Sequence, residues 1–152
     1  MERASGSSAT DNKTLVTLEG DSVTISGEGA EYQNGKVVIT KSGEYTLTGT
    51  LNNGQIFVNA TKTDRVYLVL DNANISCNNS AAIYIACADK TTIIAKEGTA
   101  NKLTDNKDYE FEGATDEPNA CIFSADDMTI KGTGSLHVIG NYKNGISSKN
   151  DI

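Results

Sequence analysis

Ala120-Cys121-Ile122-Phe123-Ser124-Ala125-Asp126-Asp127-Met128 is answered 24 positions later by Asn144-Gly145-Ile146-Ser147-Ser148-Lys149-Asn150-Asp151-Ile152. In both, a short apolar run leads into an acidic or amide pair and then a second apolar residue. Upstream, Gln55-Ile56-Phe57-Val58-Asn59 and Ala82-Ile83-Tyr84-Ile85-Ala86 fit the same template, with Ile56 and Ile83 27 positions apart. The longer step from Ile83 to Ile122 holds the polar stretch 105–119, read as a surface loop inserted into one repeat. A period of this length has a definite physical meaning. Three strands of a few residues, at about 3.3 Å rise each and joined by short turns, close one coil of a parallel β-helix. A propeller blade needs about 40 residues, and a leucine-rich repeat needs its Leu/Asn ladder. An antiparallel sandwich is the main rival, but its strands have no reason to repeat side chains in register.

The rest of the chain agrees with an all-β solenoid of three short strands per coil. No apolar i, i+3, i+4, i+7 pattern persists for three turns. Short β-branched or alternating runs recur instead, punctuated by Gly, Asn, Asp and Ser. The first strand of each coil falls at Ile56, Ile83, Ile122 and Ile146. The second begins at Val66, Thr91, Met128 and Ile152, and the third includes Ile75, Leu103 and Leu136 to Ile139. Period-2 alternation points Ile56, Val58, Ile83, Ile85, Ile122 and Ile146 inward, together with Val66, Leu68, Leu70, Met128 and Ile130. Residues 1–13 read as a flexible leader, and 14–152 as a single domain. Within it, 14–51 is expected to form an irregular cap over an edge that would otherwise recruit another strand.

Composition narrows the function. The chain has 152 residues and a formal charge of −7, from 20 Asp and Glu against 13 Lys and Arg. Nucleic acid is excluded as a partner, because neutralising phosphates needs clustered basic residues, and Arg3 and Arg65 are the only arginines. No run approaches the roughly 18 apolar residues that span a bilayer, and Met1 to Lys13 carries no apolar export signal. His137 is the only histidine, and Cys77, Cys87 and Cys121 have no C-x-x-C spacing, so a zinc site is not expected. Buried free thiols are the simpler reading of the cysteines, with one disulfide as the alternative.

Chemistry has two candidate locations. At the turn into the second strand, successive coils place Asp64, Asp89, Asp126-Asp127 and Asn150-Asp151 in a column. Like charges at 4 Å repel by about 1 kcal/mol even in water. A hard cation relieves that, since Ca²⁺ takes six to eight oxygens at about 2.3–2.6 Å. Asp116 and Glu117, just before the third rung, are placed to add ligands; the rival reading is a solvated acidic edge. The second location is the outward face of the first strand. There Phe57, Tyr84 and Phe123 stack into an aromatic strip suited to sugar rings, unless the 105–119 insert or the N-terminal segment covers it. Stacked carboxylates also offer spacings that suit glycoside hydrolysis, but a repeating scaffold gives such spacings without selection.

The residues also resemble a known family. Asp116-Glu117-Pro118-Asn119-Ala120-Cys121-Ile122-Phe123-Ser124-Ala125-Asp126-Asp127-Met128-Thr129-Ile130 is similar to the signature of bacterial extracellular, calcium-binding, pectate-lyase-like carbohydrate-binding domains. Asn144 to Asp151 resembles that family's next coil. Ser80-Ala81-Ala82-Ile83-Tyr84 and Gly49-Thr50-Leu51-Asn52-Asn53-Gly54-Gln55-Ile56 match its habit, so the likeness runs from about Thr14 to the end. The resemblance implies a right-handed parallel β-helix with bound calcium that holds cellulose or acidic pectic polymers without cleaving them. Two departures stand out. Ala125 occupies the position of Lys149, a candidate contact to an acidic sugar, and the sequence stops inside a coil at Ile152. A missing segment or end-to-end stacking into a filament would cover such an end, and a calcium-dependent lyase is the weaker functional alternative.

Overall fold

A computed structural model describes residues 12–107, 118, 120–142 and 144–149. These form strands and turns, with no helix among them. In chain order the strands are β1 (Lys13–Gly20), β2 (Val23–Ser26), β3 (Ala30–Gln33), β4 (Lys36–Ile39), β5 (Gly43–Leu51), β6 (Gln55–Asn59) and β7 (Arg65–Ser76). They continue as β8 (Ile83–Cys87), β9 (Lys90–Ala95), β10 (Ala100–Thr104), β11 (Ala120–Ser124), β12 (Asp127–Lys131), β13 (Ser135–Ile139) and β14 (Asn144–Ser148). Two mixed sheets result, and neither closes into a barrel. One has six strands in the order β14-β11-β8-β6-β4-β3; the other has eight, in the path β12-β9-β7-β5-β1-β2 with β10 and β13 branching from β7.

Side chains repeat because strands pair in parallel, like residue beside like. Ile56 sits opposite Ile83, Ile83 opposite Ile122, and Ile122 opposite Ile146. In the other sheet Val66, Thr91 and Met128 share one row, and Leu51, Ile75, Leu103 and Val138 another. These rows supply one continuous core, in which Ile56, Ile83, Ile122, Leu68, Ile75 and Leu103 are fully buried. Each such side chain is worth about 1.5–3 kcal/mol relative to exposure. The antiparallel pairings of a sandwich occur only at β1–β2 and β3–β4 among the described strands.

Four features depart from the sequence reading. Residues 14–51 are not irregular: β1 runs parallel to β5 in unbroken register from Lys13 to Gly20, and β4 runs parallel to β6. Capping is done by β2 and β3 alone, which reverse direction and cover the two sheet edges. The β3–β4 reversal uses Asn34 and Gly35 at φ of 53° and 77°, the left-handed pair that a two-residue hairpin requires. Next, the second and third strands of the first repeat are one element, β7, turned at Asn72 with φ 58°. Later repeats split that element into β9 with β10 and β12 with β13. The corner is held by amides: Asn72 Oδ1 accepts from the Ala100 N–H at 3.0 Å. Buried Asn101 accepts from the Ala73 N–H at 2.8 Å and donates to the Ser135 carbonyl at 3.1 Å. Finally, Ile146 lines up with the core isoleucines yet is 40% exposed, because among the described strands β14 has a neighbour on one side only. Ile130 is likewise only partly buried. Asn12 and Lys13, read as leader, belong to the fold: Lys13 opens β1, and Asn12 donates its amide to the Ser42 carbonyl at 3.1 Å.

Candidate functional site

The outer face of the six-stranded sheet carries one row of side chains across the strands. Parallel register sets Val38 beside Phe57, Phe57 beside Tyr84, Tyr84 beside Phe123 and Phe123 beside Ser147. Phe57 and Tyr84 meet edge to face with centroids 5.3 Å apart, and Tyr84 and Phe123 do so at 5.8 Å. The Lys36 ammonium lies 5.1 Å from the Phe57 centroid, within cation–π range. The three aromatics are therefore brought together as the alternation requires, but they are not equally accessible. Phe57 and Tyr84 are half-buried, whereas Phe123 is 1% exposed, so the strip is open only at its Phe57–Tyr84 end. All of β11 is buried, its outward-facing residues included. Lys149 is exposed just past β14, two residues beyond Ser147, and its N–H donates to the Ser124 carbonyl at 2.9 Å.

The described part of the acidic column, Asp64, Asp89, Asp126 and Asp127, carries cations of its own. Asp89 N–H donates to the Asp64 carbonyl at 2.7 Å, and Asp127 lies opposite Lys90, which lies opposite Arg65. Arg65 Nε donates to Asp89 Oδ2 at 3.1 Å, and Asp64 Oδ2 accepts from the Thr61 N–H at 2.9 Å. Lys62 reaches past a whole rung to donate to Asp126 Oδ1 at 2.6 Å, while Asp126 Oδ2 accepts from the Ala88 N–H at 3.0 Å. Burial alone would raise the Asp126 carboxyl. The Lys62 ammonium and the Ala88 N–H outweigh it and hold the group below the usual aspartate value. Among the described residues no three of His, Cys, Asp and Glu gather as a metal set. Asp116, Glu117, Asn150 and Asp151 lie outside the described residues.

One buried carboxylate escaped the sequence reading. Asp105, at the start of the inserted stretch, is 3% exposed and accepts from the Asn141 N–H at 2.5 Å, while Asn141 Nδ2 donates back to the Asp105 carbonyl at 2.7 Å. Its signal was positional: an Asp directly after the third strand, where the next repeat offers an amide. The cysteines are free thiols; burial pushes Cys121 up to about 12, helped by the Asp105 charge, so it sits as an inert hydrophobe.

Fold and face together define an all-β scaffold of stacked, in-register strands that presents flat side-chain rows. Residues 33–152 match the model of the carbohydrate-binding domain-containing protein family. A carbohydrate-binding domain-containing protein of Acetivibrio thermocellus is 45% identical over 150 residues, covering 97% of this chain and 52% of that one. A solved structure of a polysaccharide lyase-like protein from C. thermocellum, a gadolinium derivative, superposes with a TM-score of 0.88 at 44% identity. That match covers 91% of this chain and 56% of the other. The chain belongs to the carbohydrate-binding domain-containing protein family, and it spans about half the length of these two relatives.

Proposed function

We propose that this chain is a non-catalytic, extracellular module on a right-handed parallel β-helix, stabilised by calcium, that attaches to plant-type polysaccharide, either cellulose or acidic pectin. The observation that carries the reading is the half-buried Phe57–Tyr84 pair on adjacent parallel strands, in a chain whose family is named for carbohydrate binding. Aromatic rings combine apolar area with a polar rim, which is what a sugar ring needs from a flat surface.

Calcium is proposed from composition, since carboxylates recur at one turn of successive repeats and a hard cation relieves their repulsion. Asp126 gives its carboxylate to Lys62 and Ala88, and Asp89 gives one oxygen to Arg65. The proposed ion draws on the acidic set Asp89, Asp116, Glu117, Asp126, Asp127, Asn150 and Asp151. There it would offset the net negative charge and bridge to uronate carboxylates. The test is depletion onto cellulose and polygalacturonate, with and without calcium, alongside calorimetry of EDTA-treated protein. Failure to bind either polymer rejects the module. Binding without calcium uptake or a rise in melting temperature rejects the ion; at one hundred times Kd the expected gain is about 2.7 kcal/mol, several degrees.

A lyase requires a free basic residue near the ion; Arg65 is held by Asp89, and an assay for unsaturated product from polygalacturonate decides the point.

A further inference from the structure

The hairpin β3–β4, which closes the six-stranded sheet, carries on its outer face a shallow cleft of about 220 Å³. Glu31, Gln33, Val38, Thr40 and Lys41 form its walls. The cleft is in line with the aromatic strip: Glu31 is opposite Val38, Val38 opposite Phe57, and Phe57 opposite Tyr84. It thus adjoins the open end of the strip, away from buried Phe123. Lys36, opposite both Gln33 and Gln55, stands between them with its ammonium over Phe57.

Size and chemistry limit the occupant. Drug-sized pockets run to roughly 300–1,000 Å³, so this cleft has room for one ring and not for an oligomer. Its walls pair an acceptor-only carboxylate (Glu31) with a donor-only ammonium (Lys41), and they add an amide and a hydroxyl that do both (Gln33, Thr40). Vicinal hydroxyls, each a donor and an acceptor, satisfy such a set; Val38 gives an apolar floor. Charge separates sugar classes. Glu28 and Glu31 are balanced by Lys41, 3.9 Å from Glu28, and by Lys36 beside the strip, so the site carries no net charge to attract a uronate.

We propose that the β3–β4 cleft is the subsite for one neutral, hydroxyl-bearing pyranose of a polymer that runs across the strands over Phe57 and Tyr84. This deepens the carbohydrate-binding reading and rests on it. The test is calorimetry of the whole chain with cellohexaose and with a galacturonate hexamer, for the wild type, Glu31→Ala and a Gln33→Ala/Thr40→Val double variant. All three positions are exposed, so unchanged melting temperatures are expected to confirm folding. The expected result is a loss of tenfold or more in cellohexaose affinity in both variants. Wild-type affinity in both variants overturns the subsite and leaves the module standing. Absence of binding to either sugar and to either polymer by the wild type overturns both. Galacturonate binding that the variants weaken, with none for cellohexaose, overturns the neutral-sugar assignment.

Discussion

Asp126 shows how single residues divide the work of the acidic column. Its carboxylate is buried, bonded to a side chain 64 positions earlier, and held below the usual aspartate value. A folded value below the unfolded one stabilises the protein at pH above about 4 and is lost as pH falls through the folded value. Asp126→Asn is therefore expected to flatten the acid limb of a stability-versus-pH curve. Asp126→Ala strands the Ala88 N–H and costs about 1–3 kcal/mol by chemical denaturation. Lys62→Met should cost less, since the lysine is exposed and its salt bridge is screened. The column was legible in the sequence because aspartates recur at the repeat period. Its neutralisation was not, because Lys62 belongs to the first rung and Asp126 to the third. Only the stacking of rungs brings them within one side-chain length.

Among the elements, the short strands β6, β8, β11 and β14 of the six-stranded sheet were the easiest to read, since Ile56, Ile83, Ile122 and Ile146 carry the same residue in the same register. Strands β1 and β5 were not, although they pair as regularly. Val16 meets Leu47 and Thr14 meets Tyr45, so the core is continuous while residue identity is not. Alternation sets which side chains point out from a strand, and this grouped Phe57, Tyr84 and Phe123 correctly. It does not set how far each is covered, so the sequence left covering open, and Phe123 is buried while Phe57 and Tyr84 are half-buried. Turns between strands depend on close backbone approach. Gly132 has φ 109°, and a Cβ there would lie 2.2 Å from the Ala95 carbonyl oxygen. Gly132→Ala is expected to open the β12–β13 corner and lower the melting temperature by several degrees, whereas Gly98→Ala, with nothing within 4 Å of the added carbon, should cost only its backbone strain.

For the molecule as a whole, each rung supports its neighbours. Antiparallel β2 and β3 cover the first rungs, while β12, β13 and β14 each have one described neighbour. In stacked repeats stability is close to a sum of nearest-neighbour terms. Backbone amides of β6 and β8 are therefore expected to exchange with deuterium slowest, and those of β14 fastest. Equal protection from β6 to β14 would show that the last rung is as firmly held as the middle.

The reversal at β2 and β3 has a mechanical consequence. Pulled from its first residues, the molecule has to part β1 from β2 and from β5 together, so the load is shared across two pairings rather than one.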